Sequence, residues 1–327
     1  MKVKASVIVP TKNPGKRFYK VIDAVLTQKT PWAYEIIVVD SGSTDETLNY
    51  CKQLGNKIRL LQISPESFGH GKTRNYAASK SFGEFVVFLT HDAIPKDENW
   101  LFNIVNAMYE SELIAGAFGR HLPYPDGNPF NRRDLNLHFD NFLLDFHIVK
   151  IDDKKRYESD IAYRQFLHFF SNNNSCIRKT ILEKIPFPNV DFAEDQVWAM
   201  RVLEAGYSKI YVDSSAVYHS HDYSPIQLFK RSVDESRALS KIFGYQLCPS
   251  VYQLLLQTIR TTIRDIKFAY KEKIFLKSPY WFLISPLLNF SKQLGFYIGQ
   301  RLVQEDSSFL LDRISLDKAM KRGERKL

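Results

Sequence analysis

Asp40 closes the apolar run Ile36-Ile37-Val38-Val39, and Asp92 closely follows a second run, Phe85-Val86-Val87-Phe88-Leu89. Much later, Glu194-Asp195 opens a helical pattern. Both apolar runs have the length and β-branched or aromatic content of strands. In an open α/β sheet, ligands bind in the crevice beyond the carboxyl ends of the strands. Two aspartates at two strand ends, with a later Glu-Asp pair, point to a site for a charged, metal-bound phosphate ligand. That is the chemistry of an enzyme rather than of a scaffold.

A second candidate is the string Gly69-His70-Gly71-Lys72-Thr73. It is not a P-loop: Glu66 stands where that motif needs its first glycine, and Pro65 interrupts the strand that should precede it. Nor does a G-x-G-x-x-G follow the first strand, which argues against a dinucleotide fold. The glycines, Gly71 among them, would instead let the backbone come close to a ligand before a helix N-terminus, where phosphate binds well. Arg74, one turn in, would reach a diphosphate with two N–H groups. A plain helix-start loop is the competing interpretation.

The elements that must position these residues alternate between strand and helix, which predicts a mostly parallel sheet. Strands are expected at 5–10, 34–40, 58–63, 85–90 and 114–120. Helices are expected from Pro14-Gly15 to about Gln28, from 72 to 81 and from 99 to 110. Another should start at the capping box Ser43-Thr44-Asp45-Glu46. Residues 121–170 show loops and helices without a clear pattern. A helix over 195–205 precedes short strands at 209–212 and 216–219. After Pro225 only long helical patterns appear, so the expected domains are 1–225 and 226–327.

Composition is that of an ordinary globular protein, with 44% hydrophobic and 25% charged residues over 327 positions. Three scattered cysteines (Cys51, Cys176, Cys248) form no CxxC pair, which argues against a disulfide framework or zinc knuckle and fits a reducing compartment. Val7-Ile8-Val9 is too short for a signal peptide, so a cytoplasmic location is expected. From Gln227 onward there are 18 Lys+Arg against 9 Asp+Glu, which is the whole net charge of +9. The part carrying the candidate site is thus neutral. The basic part suits an anionic surface. Nucleic acid is disfavoured, because no recognised binding motif is present.

Taken in order, Val7-Ile8-Val9-Pro10-Thr11, Val38-Val39-Asp40-Ser41-Gly42-Ser43-Thr44-Asp45, His70-Gly71-Lys72-Thr73-Arg74-Asn75, Phe88-Leu89-Thr90-His91-Asp92-Ala93 and Ala193-Glu194-Asp195 resemble the motifs of family 2 glycosyltransferases. The resemblance covers about residues 3–225. The forms Thr-x-Asp-Ala-x-Pro and Gly-His-Gly-x-Thr-Arg-Asn are most similar to the bacterial branch that uses dTDP-L-rhamnose. The resemblance implies a GT-A fold (a Rossmann-like, mostly parallel α/β sheet), here with a basic helical C-terminal appendage. It also implies inverting transfer of a sugar, L-rhamnose, from a nucleotide-sugar donor to a lipid-linked surface glycan.

By the same resemblance, Pro10 and Thr11 sit against the nucleotide, Asp40 accepts from the base N–H and Arg74 lies near the diphosphate. Asp92 corresponds to the last acid of the family's Asp-x-Asp and holds Mg²⁺ or Mn²⁺. The first acid is replaced by Thr90, which leaves a thin ligand set. The family often supplies a histidine after the catalytic helix. On a strand, His219 and His221 would share one face, and His219 is preferred as second ligand. The alternative is that both are plain surface or core histidines, which leaves metal dependence open.

Asp195 matches the catalytic base that takes the acceptor hydroxyl's proton, with Glu194 beside it raising its pKa. A helix-capping role for both is the alternative. Asn172 and Asn174, in the run Asn172-Asn173-Asn174-Ser175, are expected to meet sugar hydroxyls, or else to form a polar turn.

In the tail, no acidic residue lies between Glu272 and Glu305. Pro286 and Lys292 interrupt its apolar stretches, so no run reaches the roughly 20 residues of a membrane span. A helix lying in the membrane interface is expected, which would make the protein peripheral on the inner face of the cell membrane. A hairpin packed on the catalytic domain or in a homo-oligomer interface is the alternative. Rival functions are a UDP-sugar transferase of the same fold, a non-catalytic nucleotide-sugar binding subunit and a nucleotidyltransferase. The last needs a longer Gly-rich loop than Thr11-Lys12-Asn13-Pro14-Gly15.

Overall fold

The computed structural model describes residues 2–145, 147–303 and 313–316. In chain order the elements are β1 (Val3–Thr11), α1 (Arg17–Leu26), β2 (Ala33–Asp40), α2 (Thr47–Leu54), β3 (Arg59–Gln62), α3 (His70–Ser79), β4 (Phe85–Leu89), β5 (Ile94–Pro95), α4 (Trp100–Asn106) and β6 (Ile114–Leu122). They continue with α5 (Pro129–Asp145), β7 (Ile148–Val149), α6 (Lys154–Ser159), α7 (Ile161–His168), β8 (Asn174–Arg178), α8 (Lys179–Lys184), α9 (Glu194–Glu204) and β9 (Ser208–Tyr218). The last four helices are α10 (Pro225–Phe243), α11 (Val251–Lys271), α12 (Ile274–Lys277) and α13 (Pro279–Arg301).

The apolar runs form strands buried on both faces. Val7 and Val9 join one core cluster with Ile36, Val38, Val87 and Leu89. Their neighbours Ile8, Ile37, Val39, Val86 and Phe88 join the other. Period-two alternation sends each strand's side chains to opposite faces, and helices covering both faces explain why the strands read as continuous apolar runs. Each fully buried side chain of this kind contributes roughly 1.5–3 kcal/mol. The described residues form a nine-stranded sheet in the order β3-β2-β1-β4-β8-β6-β9-β5, with β7 on β9. Strands β3, β2, β1 and β4 are parallel, as is β6 to β9, while β8 runs antiparallel to both its neighbours.

Three local expectations are corrected. Asn174–Arg178 is a central strand, not a polar turn: Asn174 and Ser175 lie fully buried between β4 and β6. Residues 121–170 hold helices as expected, α5, α6 and α7, together with the short strand β7. The two strands expected at 209–212 and 216–219 are one strand, β9 (Ser208–Tyr218), which leaves His219 beyond it. The Ser43 capping box does not form, because the Ser43 hydroxyl accepts from Asn13 N–H (2.8 Å) and Asp45 accepts from Thr47 N–H (3.1 Å), so α2 starts later.

The chain divides into two compact units. The first holds the chain up to Pro125 and Asp134–Ser220, and therefore the sheet. The second holds Asp126–Arg133 and the chain from His221 onward. Within the second unit, Gly295 and Gly299 let α13 close on α10: a Cβ on them would lie 2.5 Å from Phe229 O and 2.4 Å from Val233 O respectively. Pro286 sits inside α13 without ending it. No described helix is long and apolar enough to cross a membrane.

Candidate functional site

At the carboxyl ends of β1 and β2 the register sets Thr11 beside Asp40 and Pro10 beside Val39. One Asp40 oxygen, Oδ2, accepts from the Gly42 and Ser43 N–H groups, both at 3.0 Å. The loops after the two strands are laced together. Asn13, held at φ 45°, accepts on Oδ1 from the Thr44 N–H (2.7 Å) and the Asp45 N–H (3.3 Å). Asp40 Oδ1, Thr11 Oγ1 and Thr90 Oγ1 are buried without a hydrogen-bond partner among the described residues. Buried polar groups are nearly always satisfied. Three orphan atoms on residues ending or following β1, β2 and β4 therefore mark where a polar ligand is expected.

Asp92 lies in the turn after β4, and its Oδ1 is 3.6 Å from His219 Nε2. Both side chains are largely buried, Asp92 at 18% and His219 at 11% exposed. The His219 N–H donates to Leu122 O (2.9 Å), which fixes the histidine just past β9. A carboxylate oxygen and an imidazole nitrogen at this separation suit a shared divalent ion, since both ligate Mn²⁺. His221 falls in the second unit.

The third cluster surrounds the start of α9. Ala193 precedes it in the left-handed region at φ 59°, a conformation costing a non-glycine residue roughly 1–2 kcal/mol. That turn delivers Glu194 and Asp195 to the first turn of the helix. Half-buried Asp195 accepts on Oδ2 from the Asn172 N–H (3.1 Å) and on Oδ1 from the Gln196 N–H (2.9 Å). Glu194 accepts on Oε1 from Arg74 Nη1 (2.8 Å) and from Asn172 Nδ2 (3.2 Å). Burial raises the Asp195 carboxyl above its ordinary range, and the neighbouring Glu194 charge adds to the rise; the Asn172 N–H, Arg74 and the Gln196 N–H oppose it. A raised carboxyl near a helix N-terminus suits proton acceptance.

The geometry gives several of the expected contact residues partners within the chain. Arg74 is buried against Glu194 and also donates to His70 O (3.1 Å), so its Nη1 is taken up by its own chain. Gly71 lies close to its own chain: a Cβ there would lie 2.3 Å from Pro188 O. Asn174 is fully buried, with Nδ2 donating to Ser215 O (2.7 Å) and Oδ1 accepting from Trp100 Nε1 (2.8 Å). It cannot face a sugar. Asn172 also lies buried, holding Glu194 and Asp195 and accepting from Ser175 Oγ (3.0 Å).

Sequence reasoning missed the Asn172 N–H as the group that orients Asp195, because a backbone donor leaves no compositional trace. It also missed Lys209, whose burial in β9 only the fold reveals.

The model of the family described as Glycosyl transferase family 2 matches residues 6–185. The O-antigen chain rhamnosyltransferase RfbN of Salmonella typhimurium is 31% identical over 306 residues, 91% of this chain and 90% of that one. The O-antigen chain rhamnosyltransferase WbaN of Salmonella anatum is 31% identical over 303 residues, 90% of this chain and 89% of that one. Among solved structures, the mannosyltransferase PcManGT from Pyrobaculum calidifontis in complex with GDP-Man and Mn²⁺ superposes with a TM-score of 0.58. It is 16% identical, over 94% of this chain and 89% of that chain. That likeness concerns the fold, which is GT-A.

Proposed function

Since the chain belongs to glycosyltransferase family 2, we propose that it is an inverting rhamnosyltransferase. It would take L-rhamnose from dTDP-L-rhamnose and place it on a lipid-linked surface polysaccharide. The observation that carries this donor is the match, over nine-tenths of both chains, to two O-antigen rhamnosyltransferases.

The site geometry supports a direct displacement. Asp195 takes the proton of the acceptor hydroxyl as its oxygen attacks the anomeric carbon from the face opposite the nucleotide. The bond to the diphosphate oxygen breaks as the new glycosidic bond forms, so a β-linked donor gives an α-linked product. Glu194 and Asn172 hold Asp195 at the head of α9. The nucleotide lies against Pro10, Thr11 and Asp40, where Asp40 Oδ1 and Thr11 Oγ1 await partners. Asp92 and His219 would hold the divalent ion, Mg²⁺ or Mn²⁺. Its chemistry when bound is to neutralise the charge of the departing diphosphate.

Association with an anionic membrane surface is part of the proposal. On α11, Tyr252, Leu255, Ile259, Ile263, Ile266 and Tyr270 form an exposed apolar stripe at helical spacing. Arg260, Arg264, Lys267 and Lys271 accompany it on the same helix. Apolar and cationic faces on one helix are the pattern of interfacial binding.

The test of the donor is turnover by the purified protein with dTDP-L-rhamnose set against UDP- and GDP-sugars. Release of dTDP alone supports the proposal. Turnover of a UDP-sugar instead keeps the mechanism and replaces the donor.

A further inference from the structure

Lys209, the second residue of β9, is a buried cation with no part in the mechanism above. It pairs with Gly116 on β6 and with Val149 on β7, and its side chain is wholly shielded from solvent. Its ammonium donates to Leu167 O (2.5 Å) and to Phe169 O (2.6 Å). The ring centroids of Phe118 and Phe170 lie 5.6 and 5.9 Å away. A charge is kept in such a place only where hydrogen bonds and nearby opposite charge offset its desolvation.

The two carbonyls show what the ammonium holds. Helix α7 ends at His168, and the last carbonyls of a helix lack partners within it. Lys209 supplies them, and a cation there also complements the negative end of the helix dipole. The chain then runs through Phe170 and Ser171 to Asn172. That residue donates its N–H to Asp195 and its amide to Glu194. One ammonium therefore fixes the segment whose far end orients the carboxylate pair.

We propose that Lys209 is a positioning residue for Asp195: it anchors 167–172 so that the Asn172 N–H meets the carboxylate. The proposal rests on Asp195 being the base. Charge coupling between the two groups agrees with it. Burial lowers the Lys209 ammonium to about 7, and the Asp195 charge pulls it back up. The other ionisable groups facing the pair are Glu194 and Arg74 beside Asp195, and His168 beside Lys209, which burial and then the Lys209 charge hold low, at about 3.

The test compares pH–rate profiles for dTDP-L-rhamnose turnover in wild type, Lys209→Met, Lys209→Arg, Asp195→Asn and the Lys209→Met/Asp195→Asn double variant. Circular dichroism and nucleoside diphosphate binding report folding. Lys209→Met should lower kcat by ~10-fold or more, from a misplaced base, and leave the donor KM within about twofold. Its acidic limb should move to higher pH, and Lys209→Arg should return part of that shift. The double variant should lose no more than Asp195→Asn alone, because the two act as a unit. A Lys209→Met profile like wild type, or fully additive losses, overturns the proposal.

If Asp195→Asn itself keeps full activity, the assignment of the base fails. The coupling is then read without activity, as it is if Lys209→Met does not fold. In the NMR titration of the Lys209 ε-methylene, Asp195→Asn should lower the midpoint relative to wild type. An unchanged midpoint overturns the coupling.

Discussion

Arg74 Nη1 lies 2.8 Å from Glu194 Oε1, and neither side chain is more than 7% exposed. The pair ties α3 to the first turn of α9 and so to Asp195. A buried charge stripped of its partner is left uncompensated, which costs about 3–5 kcal/mol. Arg74→Met or Glu194→Leu alone should therefore destabilise the protein by that order. Combining Arg74→Met with Glu194→Leu should recover much of the loss, because neither member of the pair is then left without its partner. Urea unfolding of the three variants checks this; a double variant as unstable as the sum of the singles would show that the pair is not what matters.

Asp195 carries a stability signature of its own. Its folded pKa is raised above the ordinary 3.8, chiefly by burial and then by Glu194. The native state thus holds the proton more tightly than the unfolded chain does. The sign follows: no penalty below the unfolded value, a growing one as pH climbs between the two values, and the full penalty above the raised one. Asp195→Asn removes it. The variant should unfold at a higher temperature than wild type near pH 8, with the gain shrinking toward pH 4, while transfer is lost. A constant difference across that range would contradict the raised carboxyl.

Asn172 and Asn174 stand two residues apart and should behave differently. Asn172→Ala keeps the backbone N–H that donates to Asp195 but removes the amide that holds Glu194 and accepts from Ser175, so the carboxylate pair loses one of its supports and kcat should fall ~10-fold while donor KM changes little. Asn174→Ala breaks bonds to Trp100 and Ser215 in the sheet interior. It should destabilise by about 1–3 kcal/mol and leave donor KM unchanged in the folded fraction. Steady-state kinetics beside thermal unfolding separates the two.

Metal dependence is checked at Asp92 and His219. Activity should fall with EDTA and return with Mn²⁺ or Mg²⁺. Asp92→Asn and His219→Ala should each raise the Mn²⁺ concentration needed for half-maximal rate by about tenfold or more. His221→Ala, run alongside, separates the two histidines. Rates indifferent to EDTA and to both substitutions would exclude the pair as ligands.

The strands ending in Thr11 and Asp40 were legible because they are buried on both faces and read as unbroken apolar runs. Strand β8 was not: Asn174, Ser175 and Cys176 carry no alternation, and their burial depends on bonds to Trp100, Ser215 and Asn172 from distant elements. Ser43 was legible as a cap by local pattern alone, yet a tertiary partner, Asn13, claims its hydroxyl. Arg74 was legible as a functional cation by its place after a glycine-rich turn. Its partner Glu194 lies far along the chain, and no spacing rule joins them. Gly71 was legible as a close approach, but whether ligand or chain approaches it is decided only by where Phe187 and Pro188 return.

The central claim is that Asp195 drives inverting transfer of rhamnose. Its most direct test is transfer from dTDP-β-L-rhamnose to a lipid-linked acceptor by wild type and Asp195→Asn, with the anomeric configuration of the product read by NMR. The account predicts an α-linked product from wild type and a rate reduced ~100-fold or more in the folded variant, the loss of a general base. A β-linked product, or a variant that transfers at the wild-type rate, would contradict it.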